Sequence, residues 1–151
     1  MGTAVDTCNR IAHGLSPLAN PRGSIIEALY AMARIPVGSI PQVTLLVNEA
    51  VPIALNDATS EHLYRLAQQA FANALQRAGA TAIEISVEAS TSFVTLKIVD
   101  NGIGISDRAM IDGRLGLQNM RYRANSIHAR LSIAALEPHG TIVTVECPHR
   151  N

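Results

Sequence analysis

The chain has 151 residues and a mass of 16.1 kDa, enough for one domain and too little for two full ones. An apolar fraction of 48% lets a chain of this size build a core without disulfides or metals. Only 16% of residues are charged, and 12 bases cancel 12 acids, which leaves no electrostatic footprint for nucleic acid or an anionic membrane surface. Any phosphate would have to be bound by local features.

No apolar run approaches the roughly 20 residues of a spanning helix. The start, MGTAVDTCNR, lacks the layout of a signal peptide, so a soluble, cytoplasmic chain is expected. Cys8 and Cys147 lie near opposite ends and outside any CxxC spacing, and are read as reduced thiols. The five histidines (13, 62, 128, 139 and 149) make no HExxH pair, so a transition-metal site is not expected.

In chain order, residues 4 to 15 read as a helix ended by Gly14 and Ser16-Pro17, because proline cannot continue a helix and disfavours it in the residue before. A linker, LANPRG, follows. Ser24 then caps a second helix over about 25 to 35, stopped by Pro36 and Gly38. QVTLLV (42 to 47) reads as a strand and NEAVPIALNDATS as a loop.

From about Ser60 to Ala78 the periodicity is clearest. Leu63, Leu66, Ala67, Ala70, Phe71, Ala74 and Ala78 fall on one side, bordered by a polar row of Gln69, Asn73 and Arg77 at i, i+4, i+8. Such a row suits the rim of a cleft. Gly79 ends the helix.

AIEISVE and FVTLKIV alternate as strands and form a hairpin through a Ser/Thr turn. Val94, Leu96, Ile98 and Asp100 share parity, which aims a carboxylate at the core side of a strand end. The segment from Asn101 to Arg114 is glycine-rich and reads as a loop. A helix over Leu115 to Ile127 follows, then LSIAAL and TIVTVEC around the turn at His139-Gly140. Thr141, Val143 and Val145 share the inward parity. This order predicts an α/β sandwich of two layers, with a mixed, mostly antiparallel sheet covered by helices on one face. Residues 40–151 form the domain, and 1–39 a helical lead-in.

Three short features carry the chemistry, and each alone has a plain structural reading. DNGIGI sets Asp100 before Gly102 and Gly104, which is either a surface turn or a carboxylate beside a backbone that a ligand can approach closely. The row Gln69, Asn73, Arg77 is either a solvated helix edge or the wall of a site. In RLGLQNM, Gly116 opens a helix, as an ordinary cap or as a phosphate-binding helix start. Neither GxxxxGK[ST] nor GxGxxG occurs, so a nucleotide site would be neither Walker nor Rossmann.

Taken together, HLYRLAQQAFANALQRAGA (62 to 80), DNGIGI (100 to 105), GRLGLQNMRYRA (113 to 124) and HGTIVTVECP (139 to 148) resemble a known set of boxes over nearly the whole chain. They are similar to the N, G1 and G2 boxes and closing hairpin of the Bergerat-fold ATP-binding domain shared by sensor histidine kinases, gyrase, the heat-shock chaperone and mismatch-repair proteins. The likeness is greatest to the nitrate-sensor and DesK-like histidine kinases. GLSP (14 to 17) also looks like the end of that class's dimerisation helices.

The resemblance implies that Asn73 holds the Mg²⁺ bridging the phosphates of ATP and that Asp100 accepts a hydrogen bond from the adenine amino group. It assigns Gly102 and Gly104 to the first glycine box, Leu115, Gly116 and Leu117 to the segment over the triphosphate, and Thr141 to the neighbourhood of the adenine. Residues 105 to 115 would be a short lid over ATP. Gln69 stands where the family usually has a glutamate, and an amide cannot take up a proton near neutral pH. Gln76 and Arg77 replace the usual Lys-His, and Arg114 a glycine.

With Gln69, Asn73 and Arg77 in the catalytic positions, the implied function is transfer of the γ-phosphate to a histidine on a dimerisation domain outside this chain. His13 does not match the acceptor motif, so the chain reads as a C-terminal fragment of a homodimeric kinase. Its further partner would be a response regulator, its parent could be membrane-attached, and no nucleic acid is implied. The alternatives are a regulatory nucleotide-binding module whose chemistry is lost through Gln69, and an anti-sigma-factor-like serine kinase.

Overall fold

The structure, a computed structural model, describes residues 24–34, 41–76, 79–105 and 116–149. Its elements are α1 (Ile25–Ala33), β1 (Gln42–Glu49), α2 (Asp57–Gln76), β2 (Ala82–Ala89), β3 (Phe93–Asp100), α3 (Leu117–Ser126), β4 (Arg130–Ala135) and β5 (Thr141–Pro148). The strands form one sheet in the order β1-β2-β3-β5-β4, with β1 parallel to β2 and the other pairs antiparallel. The parallel pair β1–β2 is joined through α2 alone, because a chain must cross back over the sheet before it can run the same way again. The others are hairpins, or, for β3 and β5, strands brought together across α3 and β4.

Alternation decides which face is covered. Ile83, Ile85, Val87 and Ala89 of β2, Val94, Leu96 and Ile98 of β3, and Val143, Val145 and Cys147 of β5 are buried against the helices. The opposite row (Glu84, Glu88, Lys97) meets solvent. From the helical layer, α2 contributes Leu63, Leu66, Ala67, Ala70, Phe71 and Ala74, the apolar side expected from the sequence, together with Tyr64. Leu117, Met120 and Ala124 of α3 and Ile25, Ala28, Leu29 and Met32 of α1 complete one continuous core. Helix α1, assigned to the lead-in by sequence, thus packs into the same core as α2.

Element ends differ from expectation where side chains or partner strands intervene. Ser24 caps α1 as expected, its Oγ accepting from Glu27 N at 3.1 Å. Helix α2 begins at Asp57 rather than Ser60, because Asn56 Oδ1 accepts from Thr59 N at 2.8 Å and so satisfies a donor of the first turn. Strand β1 runs on to Glu49, since Asn48 and Glu49 pair in register with Glu88 and Ala89. Helix α3 closes at Ser126 with Ile127 as its C-cap. The helix expected over 4 to 15, the linker after it, the 39/40 boundary and all but Ile105 of the lid expected over 105 to 115 lie outside the described residues.

Two polar staples fix the loops around this frame. His149 Nδ1 lies 2.7 Å from Ser90 O, while its Nε2 accepts from Ala54 N at 2.9 Å, so the ring carries its proton on Nδ1 and ties the loop before α2 to the β2–β3 turn. Asn101 Oδ1 accepts from Thr81 N at 2.9 Å and Ala82 N at 3.0 Å, and its Nδ2 donates to Thr81 Oγ1 at 2.8 Å. The end of β3 is thereby anchored to the start of β2.

Gly140 precedes β5 at φ +126, and a Cβ there would run into the backbone carbonyl oxygen of Asp100. No side chain fits without moving the backbone at the end of β3. Gly140→Ala should therefore lower stability by about 2 to 3 kcal/mol, from strain at a positive φ plus overpacking. Urea unfolding of wild type and variant would measure it; a loss under about 0.5 kcal/mol would mean that the two chain segments are not held this closely.

Candidate functional site

The inward row of β3 ends on Asp100, and the register sets Asp100 directly opposite Thr141, the first residue of β5. Both face the helices at the same end of the sheet, with only 6% and 4% of their surface exposed. A buried carboxylate must be satisfied locally. Gly102 N donates to Asp100 Oδ1 at 2.9 Å, closing a tight turn. Burial raises the Asp100 pKa above the ordinary carboxylate value, and the Gly102 hydrogen bond offsets part of that rise. Behind the turn, Gly102 O lies 3.1 Å from His139 Nδ1, which pins the loop after β3 to the turn before β5.

Asp100 and Thr141 form the polar end of a small cavity, about 30 Å³, walled by Ala70 and Asn73 of α2, Leu117 and Met120 of α3, Ile98, Val143, Gly104 and Ile105. That is a water-sized space. It is largely apolar, with three polar side chains converging on it: a carboxylate, a hydroxyl and the Asn73 amide. Such a combination suits a flat, weakly polar ring that donates a hydrogen bond to the carboxylate.

Asn73 is half-buried on the edge of α2. One turn earlier, Gln69 Nε2 donates to Asn73 Oδ1 at 3.0 Å. Gly116 is the N-cap of α3, in the left-handed region at φ 69. A Cβ there would stand 2.7 Å from both Cδ and Oε1 of Gln69, so only a glycine lets the start of α3 close onto that side chain. The open amides of a helix start therefore lie beside the Gln69–Asn73 pair.

Beyond Gln69, an open groove of about 330 Å³ runs between α2 and α3, lined by Arg65, Gln68, Gln69, Ala72, Asn119, Met120 and Arg123. It shares Met120 with the cavity and contains two guanidinium groups, three amides and no carboxylate. Arg65 Nε pairs with Glu61 at 2.9 Å and its Nη1 donates to Gln68 Oε1 at 2.8 Å. Arg123 Nη1 approaches His62 Nδ1 at 3.5 Å.

Of the residues singled out from sequence, Asn73, Asp100, Gly104, Leu117 and Thr141 line one cavity, Gly102 holds Asp100, and Gln69 and Gly116 meet at its rim. Arg77 and Leu115 lie outside the described residues. Sequence reasoning missed His139, Gly140, Arg65 and Arg123. The His-Gly pair signals a turn, but no local pattern shows that it closes on Asp100, and a groove between two helices is invisible in either one.

Among the described residues no group of three or more His, Cys, Asp or Glu is placed to hold a metal. No helix there is long and apolar enough to cross a membrane. Cys147 is buried in β5 with its thiol 3.6 Å from Pro148 O, and Cys8 lies outside the described residues.

Residues 58–151 match the model of the histidine kinase-, DNA gyrase B- and HSP90-like ATPase family. Among curated proteins, the sensor protein VraS of Staphylococcus aureus is 30% identical over 103 residues, covering 68% of this chain and 30% of the relative. VraS of Staphylococcus epidermidis gives the same figures. The chain thus spans under a third of these relatives' length.

Among solved structures, the histidine kinase domain of the blue-light activated kinase of Erythrobacter litoralis EL346 superposes with a TM-score of 0.69 at 18% identity, over 97% of this chain and 71% of that one. The ATP-binding domain of PrrB from Mycobacterium tuberculosis gives 0.60 at 22%, over 97% and 93%. At those identities the likeness is one of fold.

The raised pKa of Asp100 sets a sign for pH dependence. The folded chain holds the proton more tightly than the unfolded one, so this group's contribution is favourable at acid pH and is lost as pH rises through the folded pKa. Asp100→Asn removes that titration and keeps an oxygen for Gly102 N. Melting temperatures between pH 3 and 7 should show wild type losing ground to Asp100→Asn as pH rises, with the variant at least as stable near neutrality. The opposite slope would mean that the carboxylate is stabilised in its charged form.

Proposed function

The chain belongs to the histidine kinase-, DNA gyrase B- and HSP90-like ATPase family, and we propose that it is the ATP-binding catalytic domain of a two-component sensor histidine kinase of the nitrate-sensor and DesK-like class. One observation carries this reading. A buried carboxylate and a hydroxyl, paired across β3 and β5, face an asparagine on α2 across a single apolar cavity. An adenine ring fits that chemistry: Asp100 accepts from its amino group, Thr141 offers a neighbouring hydroxyl, and Ile98, Met120 and Val143 supply apolar surface. The cavity is water-sized as it stands, so it must widen to admit the ring.

The phosphates then run past Asn73 toward the start of α3, where amides near Gly116 and Leu117 meet their charge. The Asn73 carbonyl is a hard oxygen donor, and one such ligand with phosphate oxygens and water completing the shell is a combination that suits Mg²⁺. Bound there, Mg²⁺ would spread the charge of the phosphate oxygens. This chain's own contribution is to position: Asp100 orients the base, Asn73 fixes the phosphate end, and Arg77 and Leu115 join that end as the family resemblance implies.

The open groove at Arg65 and Arg123 gives the third phosphate a route toward an acceptor histidine. That histidine would sit on the dimerisation domain of a homodimeric parent kinase, with a response regulator as the next recipient. Gln69 favours a second reading, a regulatory nucleotide-binding module, because an amide cannot accept the proton released when a group is activated for attack.

Asp100→Asn should weaken ATP and ADP binding by about 1 to 3 kcal/mol, the cost of mismatching a buried polar pair, while the fold is kept. Calorimetric titration measures it, and unaltered affinity would rule out the adenine assignment. With the dimerisation helices joined to this chain, phosphohistidine formed from labelled ATP supports the kinase reading. Retained ATP binding with no label transfer selects the regulatory one.

A further inference from the structure

We propose that Gln69 is a positioning residue that holds Asn73 with its carbonyl oxygen against an N–H donor, so that this chain gives up part of an internal hydrogen bond to bind a divalent cation; the inference rests on the metal role proposed above for Asn73. A glutamine amide has a donor end and an acceptor end. Cδ and Oε1 lie 2.7 Å, and Nε2 3.1 Å, from where a Cβ on Gly116 would stand, so the whole amide packs against the start of α3, a helix end that favours an oxygen. The donor end, Nε2, points at Asn73 Oδ1 over 3.0 Å.

Oδ1 is the one atom of Asn73 able to ligate a hard cation, since Nδ2 has no available lone pair. A carbonyl oxygen has two lone pairs, so donor and cation can share it. The cation must then sit beside the positive end of the Gln69 N–H dipole. A carboxylate at position 69 would act differently. It has no proton to donate near neutral pH, so it accepts from Asn73 Nδ2 and turns Oδ1 outward. Glutamine is thus the residue that makes a metal share Asn73 Oδ1 with an N–H donor.

The test uses the whole chain with ADP and Mn²⁺ as the probe, free Mn²⁺ being read by electron paramagnetic resonance. Gln69→Met keeps length and bulk against Gly116 but removes the donor. It should tighten Mn²⁺ binding to the ADP complex about three- to tenfold, the worth of one neutral hydrogen bond. Gln69→Glu should tighten it at least as much. ADP affinity without metal, measured in EDTA, is the control against which each variant's Mn²⁺ affinity is normalised, and circular dichroism checks that the fold is kept. If methionine disturbs that control, Gln69→Ala takes its place, with the same expected gain.

Mn²⁺ affinity that is unchanged or weaker in the donor-free variant, with metal-free ADP binding intact, overturns the proposal. A gain with glutamate alone does so too, since it would reflect added charge rather than a lost donor. Asn73→Ala tests the underlying assignment separately. Loss of Mn²⁺ binding in that variant, with no recovery on adding Gln69→Met, agrees with the proposal; wild-type Mn²⁺ binding would overturn both the metal role and the inference built on it.

Discussion

The antiparallel register between β3 and β5 is the constraint from which the site follows. It sets Asp100 opposite Thr141 at the end of the sheet, both on the inward row, and it brings Gly140 against the Asp100 carbonyl, where no side chain could stand. A shift of one residue in this pairing would turn one strand's inward row to the outer face and separate the carboxylate from the hydroxyl. The same pairing lets His139 reach Gly102, so the loop that leaves β3 is held by the turn that enters β5. The polar end of the cavity is in this sense a property of two paired strands.

Against that fixed end lies a helical side built differently. Helix α2 is anchored by its buried face, with Leu66, Ala67 and Phe71 closed off from solvent, so its half-buried edge carries Gln69 and Asn73 to a definite height above the sheet. Helix α3 is placed by Leu117 and Met120 beneath and by Gly116 at its start, which meets Gln69. The two helices therefore meet at Gln69, a polar residue of the site that departs from the family resemblance. Gln69 lies against the start of α3 and donates to the Asn73 amide oxygen.

A chain with no net charge can still bind a polyphosphate in this geometry, because the groups that would meet the phosphates are local. They are the amides of a helix start, one amide oxygen for a metal, and the two arginines in the groove beyond.

Much of this was legible in the sequence. Alternation in FVTLKIVD and TIVTVEC placed Asp100 and Thr141 on the buried row, and the 3.6-residue period of the segment after Asn56 gave the buried side of α2 and its polar border, because each signal depends only on local geometry. The element order gave the layers. The sequence could not show that Asn56 rather than Ser60 begins α2, since that turned on one side-chain oxygen reaching a backbone donor.

It also could not show that Gly140 closes on Asp100, that Gln69 meets Gly116, or that Arg65 and Arg123 share a groove. Those are contacts between segments far apart in the chain, and only the packing of helices on a sheet of fixed register decides them. Position in the chain determined what kind of residue stands at the site. Tertiary structure decided what that residue meets: Gln69, whose Nε2 donates to Asn73 Oδ1, also lies against the start of another helix, a contact between segments far apart in the chain.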